Sequence, residues 1–260
     1  MKTTLLSHIY NEEYLLPFWL EHHKPIFDNL VIIDYNSTDK SIEICKSIWP
    51  DCRIIQSRNE YFDAVEIDKE IMDIESEIEG IKMVLNTTEF LLSNIDIKTI
   101  FNYSSLSETT LSCSIFSCGP YSRIEYNPST NKELYAALLN EDVKFHMLCS
   151  DRGVRQLHNF KHGNYTLGRH NTTNPARIVN SHVMCIMWLG FFPMNTRLLE
   201  RKLQIKNKMS EFDKNNHLGF QHLYDKEKLI DILNQHADTG TKFMDISPTL
   251  YELIKNKASL

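Results

Sequence analysis

The stretch VIIDYNSTDKSIEICKSIW (Val31–Trp49) decides the fold. An apolar strand runs into Asp34, four polar residues lead to Asp39, and a helical pattern follows in which Ile42, Cys45 and Trp49 share one face. Ser37, Thr38 and Asp39 are residue types that cap helices, so the helix alone accounts for the second half of the motif. It does not account for Asp34, a carboxylate at the tip of a buried strand. In open α/β sheets ligands bind at the carboxyl ends of parallel strands, where connecting loops diverge.

Working outward, the same unit repeats. TTLLSHI (Thr3–Ile9) predicts a strand and EEYLLPFWLEHH (Glu12–His23) a helix with Pro17 in its first turn. CRIIQ (Cys52–Gln56) predicts a third strand. Ile67, Ile71, Ile74 and Ile78 line one face of an amphipathic helix over Asp63–Glu79, and IKMVLN (Ile81–Asn86) returns to strand. This rhythm predicts an α/β fold, Rossmann-like, with a mostly parallel central sheet and helices on both faces.

From TLSCSIF (Thr110–Phe116) onward the pattern is less regular, and FSCGPYSR (Phe116–Arg123) reads as a strand ended by a Gly-Pro turn or as small and aromatic residues suited to a sugar. His158–Pro175 is polar and rich in turn residues. HVMCIMWLGFF (His182–Phe192) predicts a last core strand. A helix over Thr196–Met209 and two shorter ones, Lys226–Gln235 and Pro248–Lys257, complete the expectation. The organisation expected is a domain over 1–210, in halves 1–92 and 93–210, with a helical appendage over 211–260.

Length and composition bound the class. At 260 residues, 42% hydrophobic and 24% charged, the chain buries a substantial core. A net charge of −6 gives no electrostatic reason for nucleic-acid binding. The six cysteines form no CxxC pair, which predicts free thiols, a reducing compartment and a cytoplasmic location. Five N-x-S/T sequons read as by-products of an Asn-rich composition. MKTTLLSHIYNEE turns polar too early for a signal sequence, and Val183–Met194 is too short to span a bilayer.

Asn11 and Glu12 follow the first strand, Asp34 ends the second, and VLNTTEFL (Val84–Leu91) closes the fourth on Glu89. The series N-E-E-x-x-L-P-x-W-L-E-x-H, D-x-N-S-T-D-x-S and V-L-N-x-T-E-F-L, covering Thr3 to Leu92, resembles the nucleotide-sugar half of GT-A glycosyltransferases, family 2-like branch. The resemblance implies a nucleoside diphosphate sugar donor and a glycan or other hydroxyl acceptor. It implies that Asp34 meets the base and that Ile9, Asn11 and Glu12 lie beside base and ribose. Asp39 matches in a partly structural role, and Trp19 and His23 match on a helix, where packing is their expected part.

One departure matters. The family's D-x-D holds Mn²⁺ or Mg²⁺ between the donor phosphates, and here those positions are Asn86 and Thr88, with Glu89 the one carboxylate left. Three readings stand: transfer without metal, with Arg or Lys neutralising the diphosphate; a metal held weakly by Glu89 and a histidine; or loss of catalysis, leaving a binding protein for nucleotide sugar or glycan. A nucleotidyltransferase is a more distant alternative, weakened by the lack of a Gly-rich phosphate loop.

The second half supplies the remaining candidates. Arg152, Arg155 and Arg169 carry guanidinium groups suited to phosphate, against a plainer role in ion pairs or solvent. His182 opens the last core strand, where the resemblance brings a histidine to the phosphates. Lys202 lies in a basic run with Arg197, Arg201 and Lys206 that otherwise reads as a solvated helix face. His158 and His162 are spaced for a metal only if helical. An inverting transfer needs a base for the acceptor hydroxyl, and Asp151 is the candidate before Asp142 and Glu141.

Overall fold

The apolar alternation of the first quarter builds four parallel strands, β1 (Thr3–Ile9), β2 (Asn29–Asp34), β3 (Arg53–Gln56) and β4 (Ile81–Val84), in the order β3-β2-β1-β4. The crossovers are α1 (Leu16–His23), α2 (Ser41–Ile48) and α3 (Ala64–Glu75). The computed structural model describes residues 1–103, 112–148 and 154–259. Side chains alternate across the sheet as the pleat requires. Leu5, Ile9, Leu30 and Ile32 join the core under α1 and α2, whereas Leu6, Val31, Ile33 and Val84 pack against Ile67 and Ile71 of α3.

The chain continues through β5 (Glu89–Ser93), α4 (Ile97–Tyr103), β6 (Ser112–Tyr121), α5 (Asn131–Leu138), β7 (Lys144–Leu148), β8 (Val154–His158), β9 (Ala176–Ile178) and β10 (Met184–Trp188). It ends in α6 (Thr196–Gln204), α7 (Glu211–Asn215), α8 (Lys226–Thr239), α9 (Phe243–Ile246) and α10 (Pro248–Ser259). The sheet extends as β4-β8-β6-β10-β5, with β8 antiparallel to both neighbours and β7 and β9 paired to β6. The fold is therefore α/β, parallel over its first four strands and mixed beyond. Phe243, Leu250 and Ile254 enter the main core, and no described helix is long and apolar enough to cross a membrane.

The first helix starts at Leu16, later than its expected start at Glu12, because the backbone of Asn11–Glu13 is held by another loop. Gly119-Pro120, expected as a turn, lies inside β6, which pairs with β7 as far as Tyr121. A Cβ at Gly119 would come within 3.1 Å of the Trp188 ring, which would have to give by a few tenths of an ångström to admit it. Cys45, Cys52, Cys113 and Cys185 are free thiols, and Cys149 lies outside the described residues.

One edge of β5 pairs with β10; the backbone groups on the other are met by α1 side chains. Trp19 Nε1 donates to Glu89 O at 2.9 Å, Leu91 N–H donates to His23 Nε2 at 3.1 Å, and His22 Nε2 donates to Leu91 O at 2.7 Å. Buried backbone polar groups need partners, and these three side chains give a physical reason for W and H at this spacing. Burial brings His22 down to about 3 and His23 well below its ordinary value, so both rings are neutral.

Candidate functional site

Register places Ile9 opposite Asp34 and Asp34 opposite Gln56, so the β1–α1 and β2–α2 loops leave the sheet side by side. Three successive N–H groups of the first loop are caught by side chains of the second. Asn11 N–H donates to Ser37 Oγ at 3.1 Å, Glu12 N–H to Ser41 Oγ at 2.8 Å and Glu13 N–H to Asp39 Oδ2 at 3.0 Å. Thr38 N–H donates in return to Asn11 Oδ1 at 2.8 Å. Left-handed backbone at Asn11 (φ 52°) and Asn36 (φ 61°) turns the chains into this arrangement, a conformation Asn tolerates. Asp39 is therefore a tie between loops as well as a support for the helix start: its Oδ2 accepts from Glu13 N–H and its Oδ1 from Ser41 N–H, the first residue of α2, at 2.9 Å.

Asp34 is 7% exposed, and its Oδ1 accepts from Ser37 N–H at 3.0 Å. Among the described residues its other oxygen has no partner. Ile9 takes part by backbone alone: its side chain is core, and its carbonyl accepts from Tyr35 N–H at 2.9 Å.

The Asn86–Glu89 loop after β4 is met by three guanidinium groups. Arg155, on β8, donates from Nε and Nη2 to both Glu89 oxygens, at 2.9 and 2.5 Å. Arg169 donates to Asn86 Oδ1 at 3.1 Å and to Asp68 of α3 at 2.5 Å. Arg201, on α6, grips Glu12 through both oxygens at 2.5 and 2.6 Å and reaches Thr87 Oγ1 at 3.3 Å. Arg169 sits at φ 60°, rare for so large a residue; Asp68 also receives the Gly168 N–H at 2.7 Å and fixes the turn. His8 lies at the centre of this charge, against Tyr35 and Phe62, with Nδ1 buried and unpartnered. Burial first, then Arg169, Arg155 and Arg201, hold it neutral.

Helix α6 crosses the strand ends. Gln204 donates to Asn11 O at 2.9 Å, and beyond the helix Lys208 lies 4.7 Å over the Tyr10 ring. Lys202 sits 4.1 Å over the Phe191 ring and 5.9 Å over Trp188, the residue paired with Glu89. Burial, then the Arg201 charge, brings Lys202 down to about 7, and burial with Lys202 and Arg201 brings nearby His222 to about 4.

Of the sequence candidates, Asn11, Glu12, Asp34, Asn86, Thr88, Glu89, Arg155 and Lys202 occupy this end of the sheet. His182 does not. It is exposed in the turn before β10, beyond Met184, which the strand rise of ~3.3 Å per residue puts ~13 Å from Trp188, the partner of Glu89. His158 is on a strand, bonded to Glu75 and Tyr165, so the helical spacing with His162 does not arise. Asp151 and Arg152 lie outside the described residues. His8, Asp68 and Thr87 carry no motif in the sequence, and Arg201 stands there in a basic run that reads either as a solvated face or as a reserve of positive charge.

A divalent cation does not fit the residues present. Glu89 has both oxygens on Arg155, Asn86 Oδ1 faces Arg169, and Thr88 O accepts from Leu189 N–H at 2.6 Å. Among the described residues no group of three His, Cys, Asp or Glu could hold a metal. Burial alone would raise the Glu89 carboxyl, but Arg155, the Asn86 N–H and Arg169 hold it below the usual range, as an anion matched to guanidinium.

No family model and no curated protein matches the chain. Among solved structures, S. aureus TarS 1–349 in complex with UDP aligns over 99% of this chain and 88% of that one, at 12% identity and TM-score 0.45. The same protein with UDP-GlcNAc aligns over 50% and 37%, at 16% identity and TM-score 0.33. Glucosyl-3-phosphoglycerate synthase from Mycobacterium tuberculosis, in complex with Mn²⁺, UDP and glucosyl-3-phosphoglycerate, aligns over 45% and 44%, at 12% identity and TM-score 0.33. In the last two the match spans less than half of the other chain. Likeness this distant carries no argument, and the functional reading rests on the residues.

Proposed function

We propose that this chain is a GT-A glycosyltransferase of the family 2-like kind. It binds a nucleoside diphosphate sugar across the ends of β1, β2 and β4 and passes the sugar, with inversion, to a glycan or other hydroxyl acceptor. The observation that carries the reading is Asp34: two loops are locked together around a strand-end carboxylate that keeps one oxygen uncommitted. A carboxylate oxygen there accepts the ring N–H of a uracil- or guanine-type base.

We also propose that transfer runs without a divalent cation. Arg201 keeps both Nη1 hydrogens free of described partners, and Lys202 follows it on α6. These two supply fixed positive charge to a leaving diphosphate, the kind of preorganised electrostatic help that stabilises a transition state. Asp151 remains the candidate base.

The test is calorimetric titration with UDP, GDP, CMP and dTDP, each with Mn²⁺ and again with EDTA. Binding of one nucleotide that survives EDTA, and is lost in Asp34→Ala, is the expected result. No binding of any of them to folded protein sinks the donor site. The second reading, a binding protein without turnover, is favoured by one observation: Arg155, Arg169 and Arg201 are each already matched to a carboxylate. Nucleotide binding without sugar transfer or hydrolysis would select it.

A further inference from the structure

Beside the donor loops lies a groove of about 480 Å³, inside the ~300–1,000 Å³ range of ligand sites. Its walls come from three separate segments: the start of α1, the turn before α5 and the start of α6. The floor is aromatic, with Tyr14 and Phe18 edge to face at 6.4 Å and each 6% exposed. Asn195 fixes that floor and has both of its N–H groups committed. Its Nδ2 donates to Tyr14 Oη and to Tyr126 O, and its Oδ1 accepts from Leu198 N–H as the cap of α6.

We propose that this groove is a carbohydrate subsite that holds the acceptor sugar, an assignment that rests on the glycosyl-transfer reading above. Arg197 lies 4.6 Å over the Tyr14 ring and, among the described residues, has no carboxylate partner. Its stacking restrains the head while its N–H groups stay available. Across the groove Glu13 gives one oxygen to Lys40 N–H at 3.2 Å and keeps the other. Asn127 adds an amide at the mouth, and Pro17 and Pro128 add apolar wall. A pyranose needs this mixture: donors and acceptors for neighbouring hydroxyls, and apolar surface for its C–H face. The paired signs of Glu13 and Arg197 select a neutral sugar over a strongly anionic one.

The groove is joined to the donor site through the backbone. Glu13 N–H is held by Asp39 of the locked loops, and the next residue back, Glu12, is gripped by Arg201. Arg197 and Arg201 are four positions apart, one turn of the same helix, so a sugar on Arg197 lies next to the donor end.

The experiment incubates the full chain, with and without UDP, on a printed glycan array, and measures UDP binding on the same preparation. Wild type is expected to retain a defined subset of glycans. Arg197→Ala and Asn127→Trp, both at exposed positions, are expected to weaken retention by roughly tenfold or more while UDP affinity stays the same. Wild type retaining no glycan while binding UDP, or variants retaining glycans as wild type does, overturns the subsite and leaves the donor reading standing. Glycan retention in a protein that binds none of UDP, GDP, CMP or dTDP overturns the acceptor role.

Discussion

Glu89 and Arg155 form a buried, two-point ion pair directly after Asn86 and Thr88, the positions where the resemblance would place metal-binding carboxylates. Nε and Nη2 of Arg155 reach the two oxygens at 2.9 and 2.5 Å, and the Asn86 N–H adds a third bond at 2.8 Å. The side chains are only 6% and 3% exposed. Breaking one partner of such a pair costs about 3–5 kcal/mol, because the other charge stays buried alone. Glu89→Gln is therefore expected to lower the unfolding free energy read from urea denaturation by an amount in that range, and Arg155→Met with Glu89→Leu to recover most of it. Millimolar Mn²⁺ is expected to leave the wild-type midpoint unmoved. A clear rise with Mn²⁺ would put the ion on Glu89 after all.

Asp34 and Asp39 separate function from architecture. Asp34→Ala is expected to abolish nucleotide binding with a smaller loss of stability than Asp39→Ala, since it gives up one hydrogen bond rather than two. Asp39→Ala removes the acceptor of both Glu13 N–H and Ser41 N–H, at 3.0 and 2.9 Å. Bonds to a charged group are worth about 1.5–3 kcal/mol each at most, so the cost exceeds the ~1 kcal/mol of a helix cap. Chemical denaturation and UDP titration of the two variants check this. Normal nucleotide binding by Asp34→Ala would show the base lies elsewhere.

The first quarter of the fold was legible because each strand and helix there has its own period: Leu5, Leu6 and Ile33 alternate, and Ile67 and Ile71 recur on a helix face. Strand β5 was not, because EFLLS is five residues long and its partners, Trp19, His22 and His23, are some seventy positions earlier. Likewise Asp39 reads locally as a cap, and only the register of β1 against β2 shows Glu13 N–H beside it. Arg201 looked like one cation in an exposed run, since nothing in the chain before residue 196 announces which turn of α6 will face Glu12. His182 erred in the opposite way. It fits the order of elements that the resemblance implies, but strand direction puts it at the end of β10 away from Glu89.

His22 and His23 make folding sensitive to mild acid. Their ordinary value is 6.5, and burial takes His22 to about 3 and His23 well below it. Below 6.5 the unfolded chain binds protons that the native rings refuse. Stability present above that value is therefore lost as pH falls, by up to about 1.4 kcal/mol per pH unit for each ring. His8, also lowered, adds in the same direction. The denaturation midpoint is expected to drop between about pH 7 and about pH 5, before carboxylates protonate. A flat midpoint over that interval would mean the rings are not buried as neutral acceptors.

Lys202 makes the companion case for binding. With burial and Arg201 bringing it to about 7, the free protein is partly deprotonated at neutral pH. A diphosphate against the ammonium favours the charged form, so above pH 7 binding must take up a proton. Nucleotide affinity then falls with rising pH, by up to about tenfold per unit. The terminal phosphate of the ligand itself titrates at about 6, so a Lys202→Met variant is the control: its affinity is expected to be weaker near neutrality and nearly flat above it. The ammonium also faces the Trp188 ring at 5.9 Å, so Trp188 fluorescence in ligand-free protein is expected to titrate at the same pH and to lose that transition in Lys202→Met. If wild type and variant share one pH profile, Lys202 takes no part in holding the diphosphate, and the charge must come from Arg201 alone.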